Sequence, residues 1–169
     1  MGWVTVTGPP CSICCLKIGT TLAFVPKTLP NLTDINLTGA NLTDTNLTDA
    51  NLIGTLLRGA NLQGANLSGA TLRMADLTGS ELMGANLTNT DFTGAILRGV
   101  RLDQSDLSGR NFSDQDLTGA NLRGADLTGT NLTGALLRGA DLQGANLSGA
   151  SLNMADLTGS ELTGANLTN

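Results

Sequence analysis

Ala65-Asn66-Leu67-Ser68-Gly69 is one copy of the five-residue unit that decides how this 169-residue chain folds. Leu or Phe stands at every fifth position from Leu32 to Leu167, 28 positions without a slip. Twenty-six of these centres are Leu, and the other two are Phe92 and Phe112. Two residues before the centre, 16 of 28 are Ala. One residue before it Asn or Asp dominates, and two residues after it 19 of 28 are Gly.

A strict period of five suits neither common element. On an α-helix five residues turn about 500°, so the leucines would spiral around the axis. In a straight strand an odd period sends alternate leucines to opposite faces. The pattern makes sense if the chain bends once per unit. Gly then supplies the corner, because it accepts the positive φ of a type II turn. Leu faces inward from the middle of each short side, and the small residue faces inward near the corner.

Residues 51–89 match 131–169 with 33 identities in 39, an offset of 80. Leu56-Leu57-Arg58-Gly59 recurs as Ile96-Leu97-Arg98-Gly99 at an offset of 40. Duplication of a solenoid preserves whole coils, and 40 is divisible by twenty but not by fifteen. Four-sided coils therefore fit. Twenty-eight units make about seven coils, a stack roughly 34 Å long at the strand spacing. The expected fold is all-β, a quadrilateral parallel β-helix.

The remaining composition divides the chain near Pro30. All four Pro, all three Cys, both Lys and Trp3 lie in residues 1–30. Residues 31–169 hold seven Arg and all fourteen acids, a net charge of −7. Aromatic residues are 2%, and His and Tyr are absent. A core of large aromatics and any histidine chemistry are thereby excluded. With 40% hydrophobic residues and a net charge of only −5, the chain does not have the composition of a disordered one.

The units resemble those of the pentapeptide-repeat proteins, whose motif is Ala-Asp/Asn-Leu-X-X, over 139 of the 169 residues. The resemblance implies a right-handed quadrilateral β-helix, and it leaves the function open. A minority of the family bind DNA gyrase by mimicking duplex DNA and so confer fluoroquinolone resistance. Residues 1–30 lie outside the resemblance. Their expected role is an atypical N-terminal cap, with Val4, Val6, Ile13, Leu16, Ile18, Leu22 and Phe24 covering the first coil, or a disordered leader.

With four sides, residues twenty apart stack. One side alternates by coil: Leu56, Ile96 and Leu136 with Asp76, Asp116 and Asp156, and Arg58, Arg98 and Arg138 with Thr78, Thr118 and Thr158. The plain reading is diagonal ion pairing, Arg58 with Asp76 and Arg98 with Asp116. The functional reading is an apolar-and-arginine stripe for a partner. The candidate surface is therefore Leu56, Arg58, Asp76, Ile96, Arg98, Asp116, Leu136 and Arg138, with Arg110 added. Arg110 and Gln115 occupy the inward small-residue slot, which predicts a local distortion or an outward-turned Arg110. Met74 and Met154 replace the corner Gly, which predicts turns without positive φ there.

Other chemistries find little support. Cys11, Cys14 and Cys15 are too few for a structural zinc site without His. Paired carboxylates such as Asp114 and Asp116 sit on a convex surface without a pocket-forming loop. The chain is expected not to be an enzyme, and no cofactor or metal is expected. The Thr48, Ser68, Thr88 ladder on another side suggests ice binding as a remote alternative. A duplex of about 34 Å carries about 20 negative charges, far above the −7 of the repeat, which weighs against DNA mimicry. No signal peptide or membrane span is evident, so a cytoplasmic location is expected. The expected partner is a protein of unknown identity, with no direct nucleic acid contact and no membrane. Unpaired backbone at the last coil also suggests an end-to-end homo-oligomer.

Overall fold

The structure is a computed structural model and describes residues 3–4, 16–17 and 31–168. Strand β1 (Trp3–Val4) pairs antiparallel with β2 (Leu16–Lys17), Trp3 opposite Lys17 and Val4 opposite Leu16. The cap expected of Val6, Ile13, Ile18, Leu22 and Phe24, and the readings on Cys11, Cys14 and Cys15, lie outside the described residues.

From Asn31 onward the chain winds as a β-helix. Parallel bridges join residues twenty apart, from Asn31–Asn51 to Asn146–Asn166. Each twenty-residue circuit contains four turns. Residues twenty apart are therefore vertical neighbours, as the internal repeats require.

The unit around Leu67 explains every position of the motif. The Leu67 N–H donates to Asn86 O (2.8 Å) and the Asn86 N–H to Ala65 O (2.9 Å), so each side is bonded to the circuit above. The Ala70 N–H closes the corner onto Leu67 O at 2.9 Å, and Gly69 has φ 70°. A β-turn whose third residue has positive φ is type II, which selects Gly there. The Ser68 N–H donates to Asn66 Oδ1 at 3.1 Å, a bond across two residues that Asn and Asp accept best. Leu67 and Ala65 are fully buried. Ala suits its slot because the axis of the stack is crowded. Each leucine taken from water contributes roughly 1.5–3 kcal/mol.

The expectation for Met74 and Met154 is corrected. Both hold positive φ, 57° and 58°, like Asp34, Asp44, Asp49, Asn89, Gln104 and Asp114 at other corners. Neighbouring bonds impose the geometry: the Met74 N–H donates to Thr93 O and the Ala75 N–H to Leu72 O, both at 3.1 Å. A side chain in the left-handed region costs about 1–2 kcal/mol, and the ladder holds it there.

The inward slot also accepts Thr when its hydroxyl has a partner. The hydroxyls of Thr55, Thr90 and Thr130 donate to Leu32 O, Leu67 O and Leu107 O at 2.7, 2.8 and 2.9 Å. Each acceptor is the backbone of the previous circuit, so the hydroxyl is buried but satisfied.

The ladder opens at one place. The bridges Asn86–Asp106, Asp91–Asn111 and Ile96–Asp116 are missing from an otherwise continuous series. The backbone contacts resume at Leu97 N–H to Asp116 O, at a long 3.3 Å. Arg110 and Gln115 lie in this opening, so the distortion expected around Arg110 is present. The Arg110 guanidinium donates through Nη2 to Leu87 O, the acceptor a threonine hydroxyl would use in that slot. The Gln115 amide, oriented to satisfy both its ends, donates to Ala95 O (2.7 Å) and accepts the Gly94 N–H (3.1 Å). Two long polar side chains thus stand between circuits where backbone would otherwise pair. Phe92 and Phe112 stack inside the same opening with ring centroids 5.9 Å apart.

Candidate functional site

The alternating side is built as three outward columns. The corner column runs Gly54, Met74, Gly94, Asp114, Gly134, Met154. The middle column runs Leu56, Asp76, Ile96, Asp116, Leu136, Asp156, and the outer column Arg58, Thr78, Arg98, Thr118, Arg138, Thr158. Leu56, Ile96 and Leu136 are exposed, as are Met74 and Met154. Apart from Leu167, these five are all the exposed large apolar side chains among the described residues. An apolar concentration on one side of a monomeric surface marks a contact region.

The diagonal ion pairs form as expected. Arg58 Nε meets Asp76 Oδ2 at 2.5 Å and Arg98 Nε meets Asp116 Oδ2 at 3.6 Å. Arg138 Nε meets Asp156 Oδ2 at 2.5 Å, a third pair of the same kind. Each exposed pair is worth about 0–1 kcal/mol. Asp76 is buried, and its desolvation alone would raise its pKa. The Thr78 hydroxyl (2.6 Å) and N–H (3.0 Å), with Arg58, outweigh that and hold it below the usual carboxylate range.

Asp156 makes the matching contacts without that burial. The Thr158 hydroxyl, the Thr158 N–H and Arg138 lower its pKa from 3.8 to about 2. Asp91 and Asp106 shift the same way, through the hydroxyls of Thr93 and Ser108. A depressed folded-state pKa contributes stability above the unfolded value and loses it as pH falls through the folded one. Urea midpoints should therefore be level above about pH 5 and decline from there towards about pH 2. Asp156→Asn should flatten that decline, and an equally steep decline in the variant would contradict the assignment.

An open groove crosses this side and is lined by Arg58, Asp76, Ile96, Arg98, Asp114, Gln115 and Asp116, so Asp114 and Asp116 do not sit on the convex surface expected of them. It runs into the opened ladder at Gly94 and Ala95. The predicted Leu56, Arg58, Asp76, Ile96, Arg98, Asp116, Leu136 and Arg138 thus share one side. Arg110 does not join them. It is half-buried between circuits, where desolvation lowers its pKa and Asp106 opposes the shift, and its Nε has no partner. Sequence reasoning missed Met74 and Met154 as part of this surface. The signal was present, since they lie 18 residues from Leu56 and Leu136, the diagonal offset of the ion pairs.

Part of the hydroxyl ladder considered for ice binding is engaged internally, while Ser68 and Thr88 bond Asn66 and Asn86 through their N–H groups. Thr48 donates to Asn46 Oδ1 and Ser108 to Asp106 Oδ1, both at 2.7 Å, and Thr128 to Asp126 Oδ1 at 2.5 Å. Their protons do not face solvent as a free array. Among the described residues no helix is long and apolar enough to cross a membrane.

Comparison with known proteins agrees with this architecture. A family model described as pentapeptide repeats matches residues 31–64, 60–99, 95–134 and 130–169. No curated protein matches the chain. Among solved structures it is similar to HetL, a pentapeptide repeat protein involved in heterocyst differentiation regulation from the cyanobacterium Nostoc sp. strain PCC 7120. The identity is 32% over 84% of this chain and 72% of that one, with a TM-score of 0.59. It also shares its fold with full-length QnrB1, a plasmid-mediated fluoroquinolone resistance protein. There the identity is 18% over 80% of this chain and 90% of that one, with a TM-score of 0.55. Repeat unit, twenty-residue circuit and both comparisons agree, and the chain belongs to the pentapeptide-repeat family.

Proposed function

We propose that this chain is a non-enzymatic scaffold that binds a protein partner through the side carrying Leu56, Ile96 and Leu136. In this reading residues 31–169 form about seven right-handed square coils, and residues 1–30 a separate N-terminal segment. The observation that carries the proposal is the gathering of exposed apolar residues, Met74 and Met154 included, beside three arginines on one side. Arginine beside apolar anchors is the composition of contact surfaces.

A duplex-mimicking gyrase inhibitor would need a face of unopposed carboxylates. On this side Asp76, Asp116 and Asp156 are each met by an arginine, which favours the scaffold reading. Two measurements test it. Excess protein should leave gyrase supercoiling unchanged, and inhibition would replace this reading with the mimic. In affinity purification, Leu56→Asn, Ile96→Asn and Leu136→Asn together should lose a partner that the unaltered chain retains. Asn already occupies the same column at Asn36, so the substitutions suit the fold. Unchanged partners would exclude this side as the binding surface.

A further inference from the structure

The stripe has a spacing and a sign, and together they specify the kind of partner. Leu56, Ile96 and Leu136 stand two circuits apart, about 9.6 Å at a strand spacing of about 4.8 Å. An α-helix returns to one face every seven residues, about 10.5 Å along its axis. A helix running along the stack therefore differs from the stripe by only about 0.9 Å per repeat. The ladder is open between Ile96 and Asp116, and across the same opening the Phe92 and Phe112 ring centroids stand 5.9 Å apart, more than one strand spacing of about 4.8 Å. An extended strand offers same-face residues about every 6.6 Å and matches the stripe poorly.

The sign follows from unequal exposure within the ion pairs. The side chains of Arg58, Arg98 and Arg138 are 61%, 59% and 60% exposed, while those of Asp76, Asp116 and Asp156 are 5%, 33% and 25% exposed. The cations are presented and the anions withdrawn, so this side shows an incoming chain a positive margin. That margin is local, because the whole chain carries −5. On the other flank Gly54, Gly94 and Gly134 leave the corner low, Met74 and Met154 supply adaptable apolar contact, and from Gly54 to Met154 Asp114 alone presents an exposed carboxylate.

We propose that this side binds an amphipathic α-helix whose apolar residues recur every seven positions and whose flank facing the arginine column is acidic. The helix lies along the stack from Leu56 to Leu136, its apolar residues between those of the stripe and its carboxylates against Arg58, Arg98 and Arg138. Arg58 and Arg138 bond their aspartates through Nε and Arg98 faces Asp116 through Nε at 3.6 Å, which leaves the outer nitrogens of all three to meet a second carboxylate. The proposal rests on the scaffold reading above and narrows it to one class of partner.

Three synthetic peptides of about 22 residues test it by fluorescence anisotropy with the full chain. The first has Leu every seven positions and Glu along one flank, the second replaces Glu by Lys, and the third breaks the first with two prolines. The Glu helix should bind, and the Lys and broken peptides should bind at least tenfold more weakly. The Leu56→Asn, Ile96→Asn, Leu136→Asn protein should lose at least tenfold towards the Glu helix. Arg58→Gln, Arg98→Gln and Arg138→Gln together should reduce the preference for Glu over Lys at least fivefold, a readout that general loss of packing would not move. No binding of the Glu helix, equal binding of the Lys helix, or equal binding of the broken peptide would each overturn the proposal. If the peptides fail while the asparagine variant still loses its partner in affinity purification, the scaffold reading survives and the helical partner does not. If the variant keeps all its partners, the scaffold reading itself falls.

Discussion

Arg110→Ala combined with Gln115→Ala should stabilise the protein by on the order of 3 kcal/mol. Removing a polar side chain that makes hydrogen bonds ordinarily destabilises, so the expected sign needs its argument. Arg110 stands half-buried in a slot that elsewhere holds Ala or Thr, and its Nε is buried without a partner. Taking a guanidinium from water costs several kcal/mol unless its donors are met. One donor is met by Leu87 O, and the Gln115 amide meets Ala95 O and the Gly94 N–H. Against these three bonds stand three missing bridges between residues 86–96 and 106–116. Alanine at both sites supplies the residue found in the same slot at Ala50, Ala70 and Ala150, and at Ala75, Ala135 and Ala155, where the ladder is closed. Each restored backbone bond contributes about 0.5–1.5 kcal/mol net. Urea midpoints measure the gain. Amide exchange should slow at Leu87, Phe92, Asp106 and Asn111, the residues whose ladder bonds would form. A less stable double variant would show that the two side chains support the opening and do not wedge it.

Leu77→Ala should cost about 3–4 kcal/mol. Leu77 is fully buried, with circuits stacked on both sides of it. Its removal leaves a cavity that the bonded backbone around it cannot close, since the Leu77 N–H is held to Ile96 O at 2.9 Å and the Ser80 N–H to Leu77 O at 2.9 Å. The same change at Leu157, in the same column four circuits on and in the last described circuit, should cost about half as much. Leu157 is only partly buried, so less apolar area is returned to water. In a solenoid each circuit contacts only its neighbours, and stability is a sum of local terms. Equal losses at the two positions, measured by urea unfolding, would contradict that account.

The fold was largely legible because each position of the unit answers a local demand. Asn66 is placed by a bond two residues away, Gly69 by the φ of a type II corner, and Leu67 by the interior it fills. The twenty-residue circuit was legible from the internal duplication. The ion pairs of Arg58 and Arg98 followed from the circuit by counting. Met74 and Met154 hold positive φ against the corner preference for Gly. A corner closed by two backbone bonds overrides the preference of its side chain, at a cost the ladder absorbs.

Sequence alone determined the winding, the inward leucines and the side on which Leu56, Ile96 and Leu136 fall. These follow from spacing and from bonds within a few residues. Tertiary structure alone decided where Arg110 and Gln115 point, how far the ladder opens around them, and how deeply Asp76 withdraws beneath Arg58. Those outcomes depend on contacts between residues 18 to 23 positions apart, and on a competition between backbone and side chain for the same donors and acceptors. Spacing identifies the competitors, but only the packed circuits show which one holds the bond.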